Sequence, residues 1–309
     1  MEKVVLFGAG KIATKVYEKY DKRVIAVIDN NVSKIGNTIW DGIPIISLES
    51  YKEKYSAFPI IISTIYCKEI ERQLKNNNIE NFCIPDELWK SGDVKMSENI
   101  SHLKWPAYLK QLCDYDGKNV LEVGSRVVTG ANFRNLFEKA NYVGFDYYGG
   151  DNVDVVGDAH RLSQYFDKKF DLIFSSAVFE HLAMPWQASL EMIKLLKPGG
   201  YIFVETHYSF SSHERPWHFF QYSENALNVL FPEKFGIKCI EKGCSNPIEG
   251  YFSKDADEYL QERLVGDLFC HSEFLGKKIK DVSNNDLNWE SVLLEDVVGT
   301  TKYPPKIKN

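Results

Sequence analysis

The feature that most constrains the fold of this chain is an alternation of short β-branched runs with amphipathic stretches, which occurs twice. From Lys3 to about Trp89, the runs VVLFG, VIAVID, FPIIIS and NFCIP are typical of buried strands with helices between them. The alternation resumes at Trp105 with NVLEVG, YVGFD, VDVVGD, FDLIFSS and GGYIFVET. Because strands that alternate with helices form parallel sheets, we predict an α/β protein with two doubly wound, Rossmann-like domains.

The break between the two stretches sets the predicted domain boundaries. The segment KSGDVKMSENIS is polar and lacks periodicity, which indicates a linker over residues 90–103. We therefore assign residues 1–89 to a small front domain and residues 104–309 to a larger domain, because 309 residues can form two separate cores. After Asn246 the pattern is weak, and we expect insertions over the active site there, with a helix near DADEYLQERLVGDLF.

The charge and cysteine content narrow the partners and the compartment. A net charge of −6, with basic residues scattered among carboxylates, argues against nucleic acid as a partner. No apolar run reaches membrane-spanning length, no signal-peptide pattern is present, and the six cysteines form no CxxC pair. We expect a cytoplasmic protein with free thiols that acts on a small molecule, without a disulfide frame or a bound metal. The oligomeric state is not predicted.

The predicted strand ends of the second domain carry residues expected at a nucleotide site. The strand VLEVG contains Glu122 and Gly124, and Gly130 follows where the next helix, ANFRNLFEKA, should begin. A glycine turn lets the backbone approach a ligand closely. About twenty residues on, the strand YVGFD ends in Asp146, whose carboxylate can accept both hydroxyls of a ribose.

Two further strand ends extend this pattern. A third strand ends at Asp158 and Ala159, which can reach an adenine amino group. The run FDLIFSSAVFEHL then places Ser175, Glu180 and His181 at the carboxyl end of a fourth strand. Ligands of open α/β sheets bind at such ends.

These motifs together resemble the class I methyltransferases often labelled type 11. The matching segments are VLEVGSRVVTG, GFDYY, GDAHRL, FDLIFSSAVFEHL and LKPGGYIFVE, in the order and spacing of that family, and they span roughly Val120 to Glu205. The resemblance implies a class I methyltransferase fold with lid insertions and S-adenosylmethionine as the cofactor. It assigns cofactor contacts to strand-end residues: Glu122, Gly124 and Gly130 at the methionine part, Asp146 at the ribose, Asp158 and Ala159 at the adenine, and Ser175 nearby.

The first loop departs from the family pattern. Family members have more glycines there, whereas this chain has Ser125, Arg126, Val127 and Val128. The departure leaves open an alternative in which the protein is a non-catalytic nucleotide-binding or scaffold protein with a methyltransferase-like fold.

Histidines supply the candidate catalytic groups. Methyl transfer to a hydroxyl requires alignment of the acceptor and removal of its proton, for which a positioned imidazole is suited. His181 follows the fourth strand, and His213 and His218 lie in THYSFSSHERPWHFFQYSENAL, a segment that resembles the substrate-side lid of family members. His181 can equally be a helix-packing residue. We prefer substrate contact over metal binding for His213 and His218, since no carboxylate has the usual ligand spacing.

The same segment is rich in aromatic residues. Trp217, Phe219, Phe220 and Tyr222 can form a stacking wall for a sugar or an aromatic acceptor. Each of them taken singly is more typical of core packing.

The front domain carries a loose dinucleotide fingerprint. FGAGKIA places Gly8 and Gly10 after a strand, and Asp29 ends the next strand about twenty residues on. The stretch VIAVIDNNVSKIGNTIWDGIPII resembles the N-terminal domain of sugar-nucleotide N-acyltransferases over about the first 85 residues. That resemblance implies a nucleotide-sugar site, while a relic fold without a ligand stays open. A redox role is disfavoured, since Tyr17 and Lys19 lack the spacing of a hydride-transfer set.

The two halves together predict an S-adenosylmethionine-dependent methyltransferase. Its acceptor is expected to be a sugar, or a group attached to one, used in cell-surface polysaccharide assembly. The sugar rests on the resemblance of the front domain alone.

Overall fold

The computed structural model describes residues 2–89, 94–283, 285–290 and 292, and the chain divides into two compact units. The first unit comprises the residues up to Val94 together with Ile248–Leu268, and the second comprises Lys95–Pro247 with the residues from Phe269 onward. Residues 90–93 of the expected linker lie outside the described part of the chain. Ile248–Leu268, which the sequence analysis placed in the second domain, packs with the first unit instead.

The first unit is built on a six-stranded sheet. Its strands are β1 (Val4–Phe7), β2 (Val24–Ile28), β3 (Thr38–Ile39), β4 (Ile43–Ile46), β5 (Ile60–Ile62) and β6 (Phe82–Cys83), in the order β3-β4-β2-β1-β5-β6. All pairs are parallel except β3 with β4. β1 and β5 are buried along their whole length, as continuous β-branched runs require in a sheet covered on both faces.

Three helices complete this unit: α1 (Lys11–Tyr20), α2 (Leu48–Lys54) and α3 (Cys67–Asn76). Ser47 caps the N-terminus of α2, because its hydroxyl accepts a hydrogen bond from the backbone N–H of Ser50. α3 buries Cys67, Ile70 and Leu74, a spacing of three and four residues that forms one apolar stripe.

The second unit begins with a helix and continues with most of the second sheet. Its elements before residue 248 are α4 (Trp105–Cys113), β7 (Asn119–Val123), β8 (Asn141–Asp146), β9 (Val155–Val156), β10 (Phe170–Ser176), α5 (Pro185–Leu195), β11 (Leu196–His207), α6 (Glu224–Leu230) and β12 (Ile237–Pro247). Short 3-10 turns lie at Phe133–Leu136, Ala159–Tyr165, Phe179–His181 and Glu233–Phe235.

The region after Pro247 differs from the expected helix-bearing insertion. The run DADEYLQERLVGDLF contains turns and a strand rather than a helix. Two short strands, β13 (Gly250–Tyr251) and β14 (Leu264–Val265), pair with each other antiparallel. The chain then returns to the large sheet as β15 (Phe269–Lys278).

The large sheet has seven strands in the order β12-β15-β11-β10-β7-β8-β9. β7 to β11 are mutually parallel, and β15 runs antiparallel between β11 and β12. Chain order reverses between β7 and β10, so the carboxyl ends of these two strands form the crevice where doubly wound sheets bind ligands.

The helix predicted at residues 131–140 is wrong. Only the 3-10 turn Phe133–Leu136 forms there, and Asn132 caps it by accepting from the N–H of Arg134. The backbone N–H groups of Lys139 and Ala140 donate to the carboxylate of Asp114 at 2.8 and 3.1 Å, so they are not available to a helix. These two hydrogen bonds hold residues 139 and 140 against Asp114, directly before β8 begins.

No helix among the described residues is both long and apolar enough to cross a bilayer.

Candidate active site

The residues predicted to contact the cofactor meet at the carboxyl edge of the large sheet. The hydroxyl of Ser175 on β10 donates to the carbonyl of Val123 on β7 at 2.9 Å. The backbone N–H groups of Gly124 and Ser125 both donate to the carbonyl of Phe145 on β8, at 2.8 and 3.0 Å. The ends of three adjacent strands are therefore tied into one edge.

Gly124 occupies a position that only glycine fits. Its φ is +87°, and a Cβ there would lie 2.1 Å from Cγ2 of Val178, in the loop that follows β10. Gly130 also has a positive φ, of +91°, but no atom lies within 4 Å of its Cβ direction. The loop after β7 is thus closely packed at its start and open at its end.

Glu122 is buried beneath this loop rather than directed into open space. Its carboxylate accepts hydrogen bonds from the hydroxyl of Tyr142 and, at 3.4 Å, from the side-chain amide of Asn152. Burial raises the pKa of Glu122 to about 7, against the lowering effect of these two hydrogen bonds. Its role toward the methionine part of the cofactor stays a prediction.

Asp146 ends β8 at the same edge, and its geometry fits a ribose. Oδ2 accepts from the N–H of Arg126 at 3.2 Å and Oδ1 from the N–H of Tyr148 at 3.0 Å. Each carboxylate oxygen has two lone pairs, so both retain capacity for one hydroxyl of a diol. Arg126 Nε also lies 3.5 Å from Oδ1, which places the unusual SRVV loop directly against this carboxylate.

Asp158 and Ala159 begin the turn after β9. Oδ1 of Asp158 accepts from the N–H of His160 at 2.9 Å, and the ring nitrogen Nδ1 of His160 lies 2.7 Å away. Ala159 is buried, whereas Tyr147 and Tyr148 just after β8 are each more than 60% exposed. These two tyrosines are aromatic groups beside Asp146 that the sequence analysis did not select.

The three candidate catalytic histidines lie together in space. His181 and His213 have ring centroids 4.9 Å apart, and His213 and His218 4.6 Å apart. Nδ1 of His181 lies 2.9 Å from the carbonyl of Trp217, so the lid segment is tied to the loop after β10. His181 lies three residues after Val178, and Val178 packs against Gly124 in the loop after β7.

The histidine cluster is larger than the sequence analysis indicated. His207, at the end of β11, lies 5.3 Å from His213 and 5.8 Å from His271 between ring centroids, and His271 stacks on His102 at 4.1 Å. His102 Nδ1 lies 2.9 Å from the buried carboxylate of Glu205, and this contact raises the pKa of His102. No local pattern could have shown this, because these residues come from distant parts of the chain.

The four aromatic residues of the lid segment divide into two groups. Tyr222 is buried, and its hydroxyl donates to the carbonyl of Phe179 at 3.1 Å, while Phe220 packs against the core. Trp217 and Phe219 are 60% and 45% exposed. Only these two have surface to offer to an acceptor.

A buried carboxylate beside the cluster predicts a pH-dependent stability. Glu273 on β15 is fully buried and accepts from the hydroxyls of Ser97 and Ser245, and burial raises its pKa to about 7. Because the folded state then holds the proton more tightly than the unfolded state, protonated Glu273 contributes to the free energy of unfolding. This contribution is complete below the pKa of unfolded glutamate and is lost as pH rises through 7.

We expect Glu273→Gln to remove this loss. The free energy of unfolding of the wild type, measured with urea between pH 5 and 8.5, should fall by up to about 3 kcal/mol more than that of the variant. Glu122→Gln should remove a similar and separate part of the slope, because the pKa of Glu122 is raised by burial in the same way. If the free energy of unfolding depends on pH in the same way in the wild type and in Glu273→Gln, the pKa of Glu273 is not raised.

In the predicted front-domain site, Asp29 accepts three hydrogen bonds from the protein's own groups. Oδ2 of Asp29 accepts from the N–H of Ala9 at 2.8 Å and from Nζ of Lys34 at 3.0 Å, and Oδ1 accepts from the N–H of Asn31 at 2.8 Å. Gly8 has a φ of +114° and lies against the carbonyl of Ser63, while Gly10 faces open space. Burial raises the pKa of Asp29, but the hydrogen bonds outweigh it and the net pKa is lowered.

Comparison with known proteins locates two recognisable segments. Residues 121–204 match the family described as "Methyltransferase domain", and residues 1–84 match the one described as "C2185-like, N-terminal". A curated relative, the tRNA U34 carboxymethyltransferase of Campylobacter curvus, is 26% identical over an alignment of 145 residues that covers 39% of this chain. The chain spans 46% of the length of that relative.

Solved structures of similar fold include two from bacilli. A putative methyltransferase from Bacillus halodurans has a TM-score of 0.41 and 17% identity, covering 57% of this chain and 99% of its own. YcgJ from Bacillus subtilis has a TM-score of 0.41 and 17% identity, covering 59% of this chain and all of its own. With the methyltransferase family match lying on β7 to β11, the second unit contains an S-adenosylmethionine-dependent methyltransferase domain of the class I fold.

Proposed function

We propose that this protein transfers a methyl group from S-adenosylmethionine to an oxygen of a small acceptor, and that the acceptor is a sugar or a group linked to one. S-adenosylmethionine supplies the methyl group on a sulfonium centre. The observation that carries the proposal is the histidine cluster at the loop after β10, the loop whose Val178 packs against Gly124 in the loop after β7.

Two of these histidines are suited to act on a hydroxyl. Nδ1 of His181 faces the carbonyl of Trp217, and Nδ1 of His213 faces the carbonyl of Ser211, each at 2.9 Å. A carbonyl only accepts, so Nδ1 carries the proton and Nε2 keeps a free lone pair. An imidazole held in that tautomer is prepared to take the proton of a hydroxyl acceptor.

A sugar acceptor is supported by two features of separate parts of the chain. Trp217 and Phe219 expose aromatic surface on the lid segment, and such faces pack against the apolar side of sugar rings. The front unit has a glycine turn and a carboxylate at the ends of β1 and β2, as nucleotide-binding units do. Polysaccharide assembly in the cytoplasm is the setting we infer from the resemblance of the front domain.

The proposal is tested by product formation with a panel of acceptors. Purified protein is incubated with S-adenosylmethionine and individual nucleotide sugars, and S-adenosylhomocysteine and methylated product are measured by mass spectrometry. Product with a nucleotide sugar is expected. If product forms only with a non-sugar acceptor, the proposed sugar substrate is refuted. If no acceptor gives product although the protein binds the cofactor, the proposed methyl transfer is refuted.

His181→Ala and His213→Ala are expected to lower kcat by about 100-fold or more, because loss of a general base costs that much. The affinity for S-adenosylmethionine should stay within a few-fold of wild type. Asp167→Ala is the control, since Asp167 is exposed and is neither in the cluster nor among the predicted cofactor contacts. Unchanged kcat in both cluster variants would remove these histidines from the mechanism.

One observation favours a second candidate, a non-catalytic nucleotide-binding or scaffold protein with a methyltransferase-like fold. Arg126 lies 3.5 Å from the carboxylate that would hold the ribose, and its guanidinium is 5.6 Å from the ring centroid of Tyr148. An arginine that stays there competes with a ribose for Asp146. In that case Arg126→Ala should create measurable S-adenosylmethionine binding that the wild type lacks.

A further inference from the structure

Three hydrogen-bond acceptors, each with a lone pair, converge in the histidine cluster. Glu180, His181 and His213 each offer one ligand atom, and the three atoms all lie within 4.8 Å of one another. Glu180 is fully buried, while the two histidines are partly buried. Such a convergence of lone pairs is unfavourable unless an electrophile lies among them.

The hydrogen bonds of the two histidines use Nδ1 and leave Nε2, a nitrogen that metal ions bind. His181 and His213 both donate Nδ1–H to backbone carbonyls, those of Trp217 and Ser211. Metal-ligating histidines donate their second ring N–H in this way, which fixes the tautomer and orients the ring. Nε2 of each ring is therefore unprotonated and available.

Glu180 contributes an ionised carboxylate with one open oxygen. Oε2 accepts from the hydroxyl of Thr206 at 2.6 Å. Nδ1 of His207 lies 2.9 Å from Oε1, but at an angle outside hydrogen-bonding geometry, and Oε1 has no hydrogen-bond partner among the described residues. Burial raises the pKa of Glu180, but His207 and Thr206 outweigh this effect and the net pKa is lowered.

We propose that Glu180, His181 and His213 bind a divalent transition-metal ion of the Zn²⁺ type. Two imidazoles and one carboxylate are a ligand set that Zn²⁺ accepts with a fourth position left open. Imidazole nitrogens select against Mg²⁺ and Ca²⁺, which prefer oxygen ligands. Ligands about 2.1 Å from a tetrahedral ion lie about 3.4 Å apart, so the three side chains must draw together by up to about 1.4 Å.

His218 is not a ligand in this proposal. Its Nδ1 accepts from the backbone N–H of His213 at 3.2 Å, so in the neutral ring the proton is on Nε2. A protonated nitrogen cannot coordinate a metal. His218 therefore provides a variant inside the cluster that should retain the ion.

Binding of the ion does not depend on the proposed function, but its placement beside an acceptor does. With an ion bound, Nε2 of His181 and His213 would be a ligand atom, so the general-base role proposed above belongs to the metal-free protein. The open position of the ion would be available to the acceptor oxygen. The binding test is therefore made without S-adenosylmethionine or acceptor, so that it can succeed or fail independently of methyl transfer.

The test uses full-length protein without a histidine tag, freed of metal with a chelator and titrated with Zn²⁺ against a chromophoric competitor. One Zn²⁺ per chain is expected for the wild type. Glu180→Gln, His181→Ala and His213→Ala should each weaken binding by about 100-fold or more, whereas His160→Ala and His218→Ala should stay within about tenfold of wild type. Co²⁺ should give a visible absorption spectrum that the His213→Ala variant lacks.

Thermal unfolding separates loss of ligands from loss of fold. Glu180→Gln retains the hydrogen bond with Thr206 and is expected to fold. The test therefore stays decisive even if a histidine variant does not fold. Absence of Zn²⁺ binding by the wild type would overturn the proposal. Equal binding by wild type and the three ligand variants would overturn it as well, because the ion would then lie elsewhere.

Discussion

Replacing Asp146 with alanine should abolish measurable S-adenosylmethionine binding. The carboxylate is the group at the end of β8 with lone pairs free for both ribose hydroxyls, and hydrogen bonds to a charged group contribute about 1.5–3 kcal/mol each. Loss of two such bonds weakens binding by at least about 100-fold, since each 1.4 kcal/mol corresponds to a factor of ten. Isothermal titration calorimetry of S-adenosylmethionine measures the effect directly.

The controls for Asp146 address charge and folding. Asp167→Ala removes an exposed carboxylate elsewhere in the second unit and should leave the affinity unchanged. Asp146 also accepts the backbone N–H groups of Arg126 and Tyr148, so its removal should lower stability, and binding is measured well below the unfolding transition of each variant. If Asp146→Ala binds S-adenosylmethionine as tightly as wild type, the ribose is held elsewhere.

Gly124→Ala should destabilise the second unit by about 2–4 kcal/mol. Its positive φ disfavours any residue with a Cβ, and that Cβ would meet Cγ2 of Val178 at 2.1 Å, so overpacking adds to backbone strain. Gly130→Ala is the matched control, because it has a similar φ but no neighbour within 4 Å, and should cost only about 1 kcal/mol. Urea unfolding of the three proteins measures the difference.

A double variant separates the two causes at Gly124. Val178→Ala removes the atom that the new Cβ would meet, so Gly124→Ala should cost about 1–2 kcal/mol less in that background than in the wild type. The backbone strain should persist. Additive effects of the two substitutions would mean that the loop moves away from Val178, and the close packing of the cofactor loop would then not limit stability.

Much of the fold could be predicted from the sequence because strand formation is encoded locally. Continuous apolar runs such as those of β1 and β5 are typical of strands buried on both faces, and nearly every predicted strand is present. Helix prediction was weaker where tertiary contacts compete for backbone groups. The expected helix at residues 131–140 is missing because Asp114, at the end of α4, takes two of its N–H groups.

The candidate site, like the fold, could be predicted only in part from the sequence. The glycines and carboxylates at the ends of β7 and β8 are recognisable because each follows its own strand directly, and parallel strands bring their carboxyl ends to one edge. The chain alone thereby determined a doubly wound domain and placed Gly124 and Asp146 at one edge of its sheet, where their contact with the cofactor stays a prediction.

Only the tertiary structure decided what surrounds that edge. The sequence indicated no metal ligands, because Glu180 and His213 are 33 residues apart and meet only when the lid segment returns over the loop after β10. His102 reaches Glu205 across 103 positions, and Ser97 reaches Glu273 across 176. Such contacts depend on how whole helices and strands pack together, and the short-range periodicity of the sequence does not indicate them.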